Sequence, residues 1–271
     1  MLQAVDVTFG YAETSVLRGV SLDVPDGGFV GILGPNGSGK TTLLRLLAGA
    51  RRPSSGRVTL DGMDVSRIPR THLARRMAVV PQETHLAFDY TVLEIVLMGR
   101  YPHLGAFELE GPADLRYAQQ ALDATGTSEL ADRPFATLSG GEKQRVVIAS
   151  ALAQLGKGEE SKPPVLLLDE PTAALDLEYQ LEVASLVRDL QRRMALSIVL
   201  STHDLNFAAS LCRSLVLLKG GGVLASGATV DVLTPDLIRA LYGVEADVHL
   251  HPSAGHLVVV PIRRVGESRV R

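Results

Sequence analysis

The sequence predicts an α/β fold with a mostly parallel sheet, an antiparallel β subdomain and an inserted helical subdomain. Three observations lead there. Short segments with apolar cores at Phe29–Leu33, 165–169 (VLLLD) and 197–202 (SIVLST) read as buried strands, with helical-period segments between them. Residues 1–24 alternate apolar and polar positions around a Gly10-Tyr11 turn, the pattern of half-buried strands. The stretch from about 83 to 155 lacks strand-like runs and reads mainly helical.

In order along the chain, Phe29–Leu33 runs through GPNGSGKTT into TLLRLLAG. The leucines there recur at helical spacing, and Gly49 closes the helix. SSGRVTLDG (54–62) reads as a further strand ending in a turn. Thr91 and Glu94 stand at capping-box spacing, so a helix starts there. Residues 156–164 (GKGEESKPP) are polar and rich in Gly and Pro, the composition of an exposed loop. No internal repeat is visible. The expected organisation is one domain over 1–245, with a helical subdomain at about 83–160, and a short strand-turn-strand extension at 246–271.

Composition narrows the function classes. A chain of 271 residues can bury a substantial core as one large domain or a domain with a subdomain. The formal net charge of −3, without a long basic run, points away from nucleic-acid binding. Cys212 is the one cysteine and cannot form an internal disulfide, which fits a reducing cytoplasm. The start MLQAVDVTFGYAE has no basic, apolar leader, and no segment approaches the roughly 20 apolar residues that span a bilayer. Any membrane association is therefore expected through a partner.

The chemistry is carried by three motifs. Gly34, Pro35, Asn36, Gly37, Ser38, Gly39, Lys40 and Thr41 match the P-loop pattern G-x-x-x-x-G-K-[ST], with Thr42 next in the helix. The glycines let backbone N–H groups turn inward around phosphate oxygens, and the following helix points its positive end at the same anion. Lys40 is expected to reach the β- and γ-phosphates, and the Thr41 hydroxyl to hold Mg²⁺. The strand at 165–169 ends in Asp169, placed to hold the Mg²⁺ shell, and Glu170 follows as candidate general base for an attacking water. This is the layout of a P-loop NTPase core. The third motif, LSGGEKQ from Leu138 to Gln144, joins a capping box of Ser139 and Glu142 to two glycines, Gly140 and Gly141, that allow phosphate close to the backbone.

With that third motif the sequence strongly resembles the ABC ATPases, over about residues 2–245. Their signature is LSGGQ-like, and Glu142 stands here where Gln is usual. The resemblance assigns the remaining positions. Gln82 matches the glutamine that contacts Mg²⁺ or the water and senses the membrane partner. Asp176 matches the aspartate of the loop after the catalytic carboxylate. His203 matches the histidine that touches the γ-phosphate, and Tyr11 the aromatic residue that stacks on adenine. Taken alone, His203 would read as a satisfied strand-end histidine and Tyr11 as a half-buried hairpin residue.

The resemblance also implies a mechanism and partners. The signature of one copy completes the phosphate site of another, so a two-fold homodimer sandwiching ATP and Mg²⁺ is expected. Lys40, Thr41, Gln82, Asp169, Glu170 and His203 would act in cis, and Ser139, Gly140, Gly141 and Asp176 across the interface. The partner would be a polytopic permease, with a substrate-binding protein in the complex, at the cytoplasmic face of the plasma membrane. Residues 91–105 (TVLEIVLMGRYPHLG) and the ending LYGVEADVHLHPSAGHLVVVP resemble importers of iron chelates, haem and cobalamin, and the stretch AFDYTVLEIVLMGRYPHLG (87–105) with the polar connector at 156–164 resembles haem-import ATPases most. Cobalamin or ferric-siderophore import is the alternative cargo reading, and a soluble non-transport ABC ATPase the alternative class. A chromosome-maintenance relative would carry a long coiled coil between Lys40 and Ser139, and no heptads stand there. His249, His251 and His256 read as surface histidines of a strand-turn-strand rather than as metal ligands.

Overall fold

The computed structural model describes residues 1–84, 88–156, 162–173 and 175–266. Its strands are β1 (Leu2–Tyr11), β2 (Thr14–Val24), β3 (Phe29–Leu33), β4 (Ser55–Leu60), β5 (Met63–Asp64), β6 (Met77–Val80), β7 (Val165–Asp169), β8 (Ser197–Thr202), β9 (Ser214–Lys219), β10 (Gly222–Ala228), β11 (Val244–His251) and β12 (His256–Arg264). Its α-helices are α1 (Lys40–Leu47), α2 (Arg70–Arg76), α3 (Val92–Met98), α4 (Pro112–Thr125), α5 (Gly140–Leu155), α6 (Leu177–Met194), α7 (Leu205–Leu211), α8 (Thr229–Val232) and α9 (Pro235–Tyr242). The chain divides into two units, one of Met1–Ser66 with the chain from Val199 onward, the other of Arg67–Ile198. The fold is mixed α/β, with parallel and antiparallel strands and helical segments. Most of the exposed loop expected at 156–164 lies outside the described residues.

In the first unit β1 pairs antiparallel with β2 and β4, giving the order β2-β1-β4-β5. The alternation read in residues 1–24 buries Leu2, Val7, Leu17, Val20 and Val24. The reversal differs from the expected Gly10-Tyr11 turn. Both residues stay in β1, Tyr11 opposite Thr14, and the chain turns at Ala12–Glu13 with Ala12 at φ 50°. Gly10 serves close strand approach instead: a Cβ there would lie 2.5 Å from the Thr14 carbonyl oxygen.

β3 is buried at all five positions, which explains its unbroken apolar run. It runs parallel to β9 from Val30 opposite Ser214 to Leu33 opposite Leu217, and β8 stands on its other side. β10 returns antiparallel along β9. Cys212 is buried beside this sheet, and burial pushes its thiol pKa up, so it packs as a neutral apolar side chain. At the end of this unit β11 and β12 form an antiparallel hairpin, from Val244 opposite Arg264 to His251 opposite His256.

In the second unit β6 runs parallel to β7 from Met77 opposite Val165 to Val80 opposite Leu168. β6 is four residues long and follows α2 without a loop, so no turn signal marks it in the sequence. α3 starts at the capping box read from the sequence. The Thr91 amide donates to Glu94 Oε2 at 2.7 Å, and the Glu94 amide donates to Thr91 Oγ1 at 3.3 Å.

One buried ion pair knits α4 to the end of α5. Arg100 Nε donates to Asp114 Oδ1 at 3.0 Å, with side chains 5% and 13% exposed. The same guanidinium donates to the Ala153 carbonyl at 2.7 Å and lies 4.3 Å from the Tyr117 ring centroid. Burial raises the Asp114 pKa, but the Gly111 amide and the Arg100 guanidinium outweigh it, so the carboxyl lies below its usual range. Burial chiefly lowers the pKa of His103, whose Nε2 donates to the Gln154 carbonyl at 2.7 Å. Asp114→Ala is expected to cost about 3 kcal/mol, because it strands a buried guanidinium. A depressed carboxyl stabilises above its unfolded pKa of about 3.9 and ceases to as pH falls through the folded value. Urea unfolding of the full chain checks this: the gap between wild type and variant should be full at pH 7 and should shrink below about pH 4.

Candidate functional site

The phosphate-binding loop is built where β3 ends. Gly34 follows the buried strand, and a Cβ there would lie 2.3 Å from the Leu218 carbonyl oxygen and 2.6 Å from Ser38 Oγ. Only glycine lets the loop turn so close to the sheet. Gly37 and Gly39 take φ of 78° and 105°, the left-handed region that L side chains rarely enter. Pro35 is half-buried, and Asn36 and Gly37 are exposed. The Ser38 amide closes the turn on the Pro35 carbonyl at 3.2 Å.

Lys40 begins α1 and is 5% exposed. Its ammonium donates back to the Gly34 carbonyl at 2.9 Å and to the Pro35 carbonyl at 3.4 Å, so the charge lies on the loop itself. Gly39 caps α1 without a side-chain hydrogen bond, and the first turn carries no acidic residue. The positive end of that helix therefore meets no carboxylate from its own first turn, which favours an anion there. Ser38 Oγ is buried without a hydrogen-bond partner. Loop glycines, a buried lysine, a helix start without an acidic residue and the unpaired Ser38 hydroxyl are the donor set of a polyphosphate site.

Tyr11 is 40% exposed. Its hydroxyl hydrogen-bonds the Thr42 and Arg45 side chains, which lower its pKa, and its ring meets Phe9 edge-on at 5.0 Å between centroids. The ring is thus fixed against α1, directly after the phosphate loop. Thr41 is half-buried in the first turn of α1. His203 is exposed immediately after β8, the strand beside β3, and its carbonyl accepts the Tyr242 hydroxyl at 3.2 Å. Asp204 caps α7 through the amides of Asn206 (2.9 Å) and Phe207 (3.0 Å).

The second unit carries the remaining residues in two groups. Asp169 and Glu170 stand at the end of β7, both buried, with Glu170 at φ 44°. A non-glycine residue in that region stores about 1–3 kcal/mol of strain, a cost met mainly where the placement is used. Gln82, exposed, follows β6 by two residues. Because Val80 lies opposite Leu168 in a parallel pair, Gln82 and the two carboxylates leave the same edge of that pair.

The other group joins the starts of α5 and α6. Ser139 caps α5 as the sequence requires, its amide donating to Glu142 Oε2 at 2.7 Å and its Oγ accepting the Glu142 amide at 3.3 Å. The Ser139 amide and hydroxyl and Arg133 hold the Glu142 carboxyl below its usual pKa. Asp176 caps α6, its carbonyl accepting the Gln180 amide at 3.0 Å. A Cβ on Gly140 would lie 3.2 Å from Leu175 Cδ2, and one on Gly141 only 2.4 Å from Tyr179 Cδ1. Ser139, Gly140, Gly141 and Asp176 are therefore neighbours. The two glycines have different uses: Gly140 is exposed, while Gly141 makes room for the Tyr179 ring. Tyr179 and Arg45 carry no motif of their own and could be found only through these contacts. Among the described residues no group of three or more His, Cys, Asp or Glu side chains is placed to hold a metal. No helix among them is long and apolar enough to cross a membrane.

Comparison with known proteins bears on this site. A model of the ABC transporter family matches residues 17–173. The hemin import ATP-binding protein of Gloeobacter violaceus is 42% identical over 262 residues, covering 97% of this chain and 94% of that protein. The ferric enterobactin transport ATP-binding protein of Escherichia coli is 37% identical, covering 98% and 96%. The cobalamin import ATP-binding protein of Halobacterium salinarum is 41% identical over 251 residues, 93% of this chain, and the chain spans only 61% of its length. Among solved structures, a metal-chelate type ABC transporter in an inward-facing conformation superposes with a TM-score of 0.83 at 32% identity, covering 96% of each chain. A dimeric bacterial ABC transporter cassette superposes with a TM-score of 0.71 at 28% identity, covering 84% of this chain and 99% of that one.

Proposed function

As this chain belongs to the ABC transporter family, we propose that it is the ATP-binding and ATP-hydrolysing subunit of an importer that takes up haem or a related iron chelate through a separate permease. The observation that carries the reading is the pair of half-sites: a phosphate loop with a buried lysine at α1, and a signature helix start beside Asp176 at α5 and α6. One grips a polyphosphate through backbone amides, and the other presents a second capped helix start, the partner such a phosphate needs on its far side.

Each side chain takes a role that its chemistry allows. The Lys40 ammonium offsets charge on the β- and γ-phosphates, and the amides of Gly37 to Thr41 donate to their oxygens. Tyr11 offers its ring face to adenine. Thr41, Gln82 and Asp169 are the residues that would hold Mg²⁺, and a bound Mg²⁺ would supply charge neutralisation for the phosphates. Glu170 takes the proton of the attacking water, and His203 donates to the γ-phosphate. Ser139, Gly140, Gly141 and Asp176 of a second copy close the site, so two copies form a two-fold dimer that ATP holds together and hydrolysis releases. The permease converts that closure into transport, and a substrate-binding protein delivers cargo to it.

Exposed apolar side chains at Phe88, Tyr101, Phe107 and Leu109 follow Gln82 along the chain. They suit a membrane partner that docks there and holds this chain at the cytoplasmic face of the plasma membrane. The haem reading is supported by the 42% identity to the hemin import relative over nearly its full length. The enterobactin and cobalamin relatives support ferric-siderophore or cobalamin import as the second reading.

Glu170→Gln keeps the shape of the carboxyl and loses its basicity. Hydrolysis is expected to fall at least about a hundredfold, the usual worth of a general base, while ATP still binds. The closed dimer should then persist in gel filtration with Mg²⁺-ATP, and a further Ser139→Arg change should return it to monomer. A Glu170→Gln chain that stays monomeric with ATP bound contradicts the shared site. For the cargo, a strain lacking this chain should fail to grow on haem as sole iron source yet grow on iron salts. Undiminished growth on haem, with cobalamin or siderophore uptake lost, assigns the sister cargo instead.

A further inference from the structure

The turn that carries His203 is tied at two points to the end of the chain, and neither tie belongs to a motif. The Tyr242 hydroxyl, at the end of α9, donates to the His203 carbonyl at 3.2 Å. Three residues after His203, the Asn206 side chain pairs with β12 as a strand would. Its Nδ2 donates to the Val259 carbonyl at 3.2 Å, and its Oδ1 accepts the Val259 amide at 2.8 Å. Local bonds complete the clamp: the Asp204 amide donates to Thr202 Oγ1 at 3.1 Å, and the Asp204 carboxylate caps α7.

The anchor itself is closed. Gly243 ends α9 in the left-handed conformation, and its carbonyl accepts the Val265 amide at 2.9 Å, bringing the far end of the hairpin back to α9. Glu245 accepts from Arg263 Nε across the two strands at 2.7 Å. His203, α7, β12, β11 and α9 therefore form one ring of bonds, with His203 at the exposed point.

We propose that Tyr242 and Asn206 are positioning residues for hydrolysis: they fix the His203 turn to the β11–β12 hairpin, so that the hairpin sets where the imidazole stands. The inference rests on the reading of His203 as the γ-phosphate contact. An exposed side chain on a free turn would sample many positions, and a donor to the transition state works only when it is held in place beforehand. Asn206 suits the task because its amide offers one donor and one acceptor in a plane, matching the donor and acceptor of Val259. The hairpin thus contributes to the rate without touching substrate.

The test is a double-mutant cycle on steady-state ATP hydrolysis by the full chain. His203→Ala, Tyr242→Phe and Asn206→Ala are made singly, and each of the last two is combined with His203→Ala. Tyr242→Phe keeps the ring and removes the donor. It should lower kcat about fivefold, the rate equivalent of one hydrogen bond, with KM for ATP unchanged. Asn206→Ala should act in the same direction. In the His203→Ala background neither change should lower kcat further, because the residue they position is gone. A merely structural role would instead reduce kcat by the same factor in both backgrounds, and that overturns the proposal. Unchanged kcat in Tyr242→Phe and Asn206→Ala, with His203→Ala impaired, overturns it too and leaves the role of His203 standing. A His203→Ala chain of normal kcat removes the underlying reading of the site, and the proposal with it.

Discussion

The close passage of Gly34 against the Leu218 carbonyl is the constraint on which the site depends. The loop reaches its position because β3 is buried throughout and pairs in parallel with β9, which brings Leu218 beside the strand end. A side chain at Gly34 would push the loop away from the sheet. The Lys40 ammonium, bonded to the Gly34 and Pro35 carbonyls, would move with it. The amides at the start of α1 point where they do only because the chain enters the helix through Gly39 at a φ of 105°. Phosphate recognition here is a property of backbone geometry, and the side chains that matter most are those small enough to permit it.

The second unit applies the same principle differently. At α5 a capping box has the Ser139 hydroxyl accept the Glu142 amide and the Glu142 carboxylate accept the Ser139 amide. Gly141 lets Tyr179 of α6 pack tightly, which draws the start of α6 and Asp176 towards Ser139. The strained backbone of Glu170 stands at the end of a fully buried strand, where packing holds the conformation in place. Each functional carboxylate or helix start is thus placed by an apolar element behind it.

Much of this was legible in the sequence. The buried strands β3, β7 and β8 announce themselves by short apolar cores, because both faces are covered and polar residues are confined to the ends of β7 and β8. Both capping boxes were readable because they depend on residues three apart. Three features were not. β6 is too short to show a period and adjoins α2 without a turn signal. The turn at Ala12 defied composition, since alanine took the left-handed turn position while Gly10 was needed where two strands touch. The ties of Asn206 to Val259 and of Tyr242 to His203 join residues 53 and 39 positions apart, a distance that no local pattern encodes. Cargo is legible only through resemblance, because the residues that resemble those of particular importers would contact a permease and not the cargo.

In the proposed dimer neither half-site works within one copy, and the phosphate loop of one chain is completed by Ser139, Gly140, Gly141 and Asp176 of another. Mixing two inactive variants tests it most directly. Lys40→Ala disables the phosphate loop, and Ser139→Arg blocks the signature. In a mixed dimer one composite site holds both defects, while the other joins an intact Lys40 to an intact Ser139. Steady-state phosphate release from an equimolar mixture should therefore recover to a substantial fraction of wild type, although each variant alone is inactive. A mixture as inactive as its components, with mixed dimers shown to form, would contradict the account.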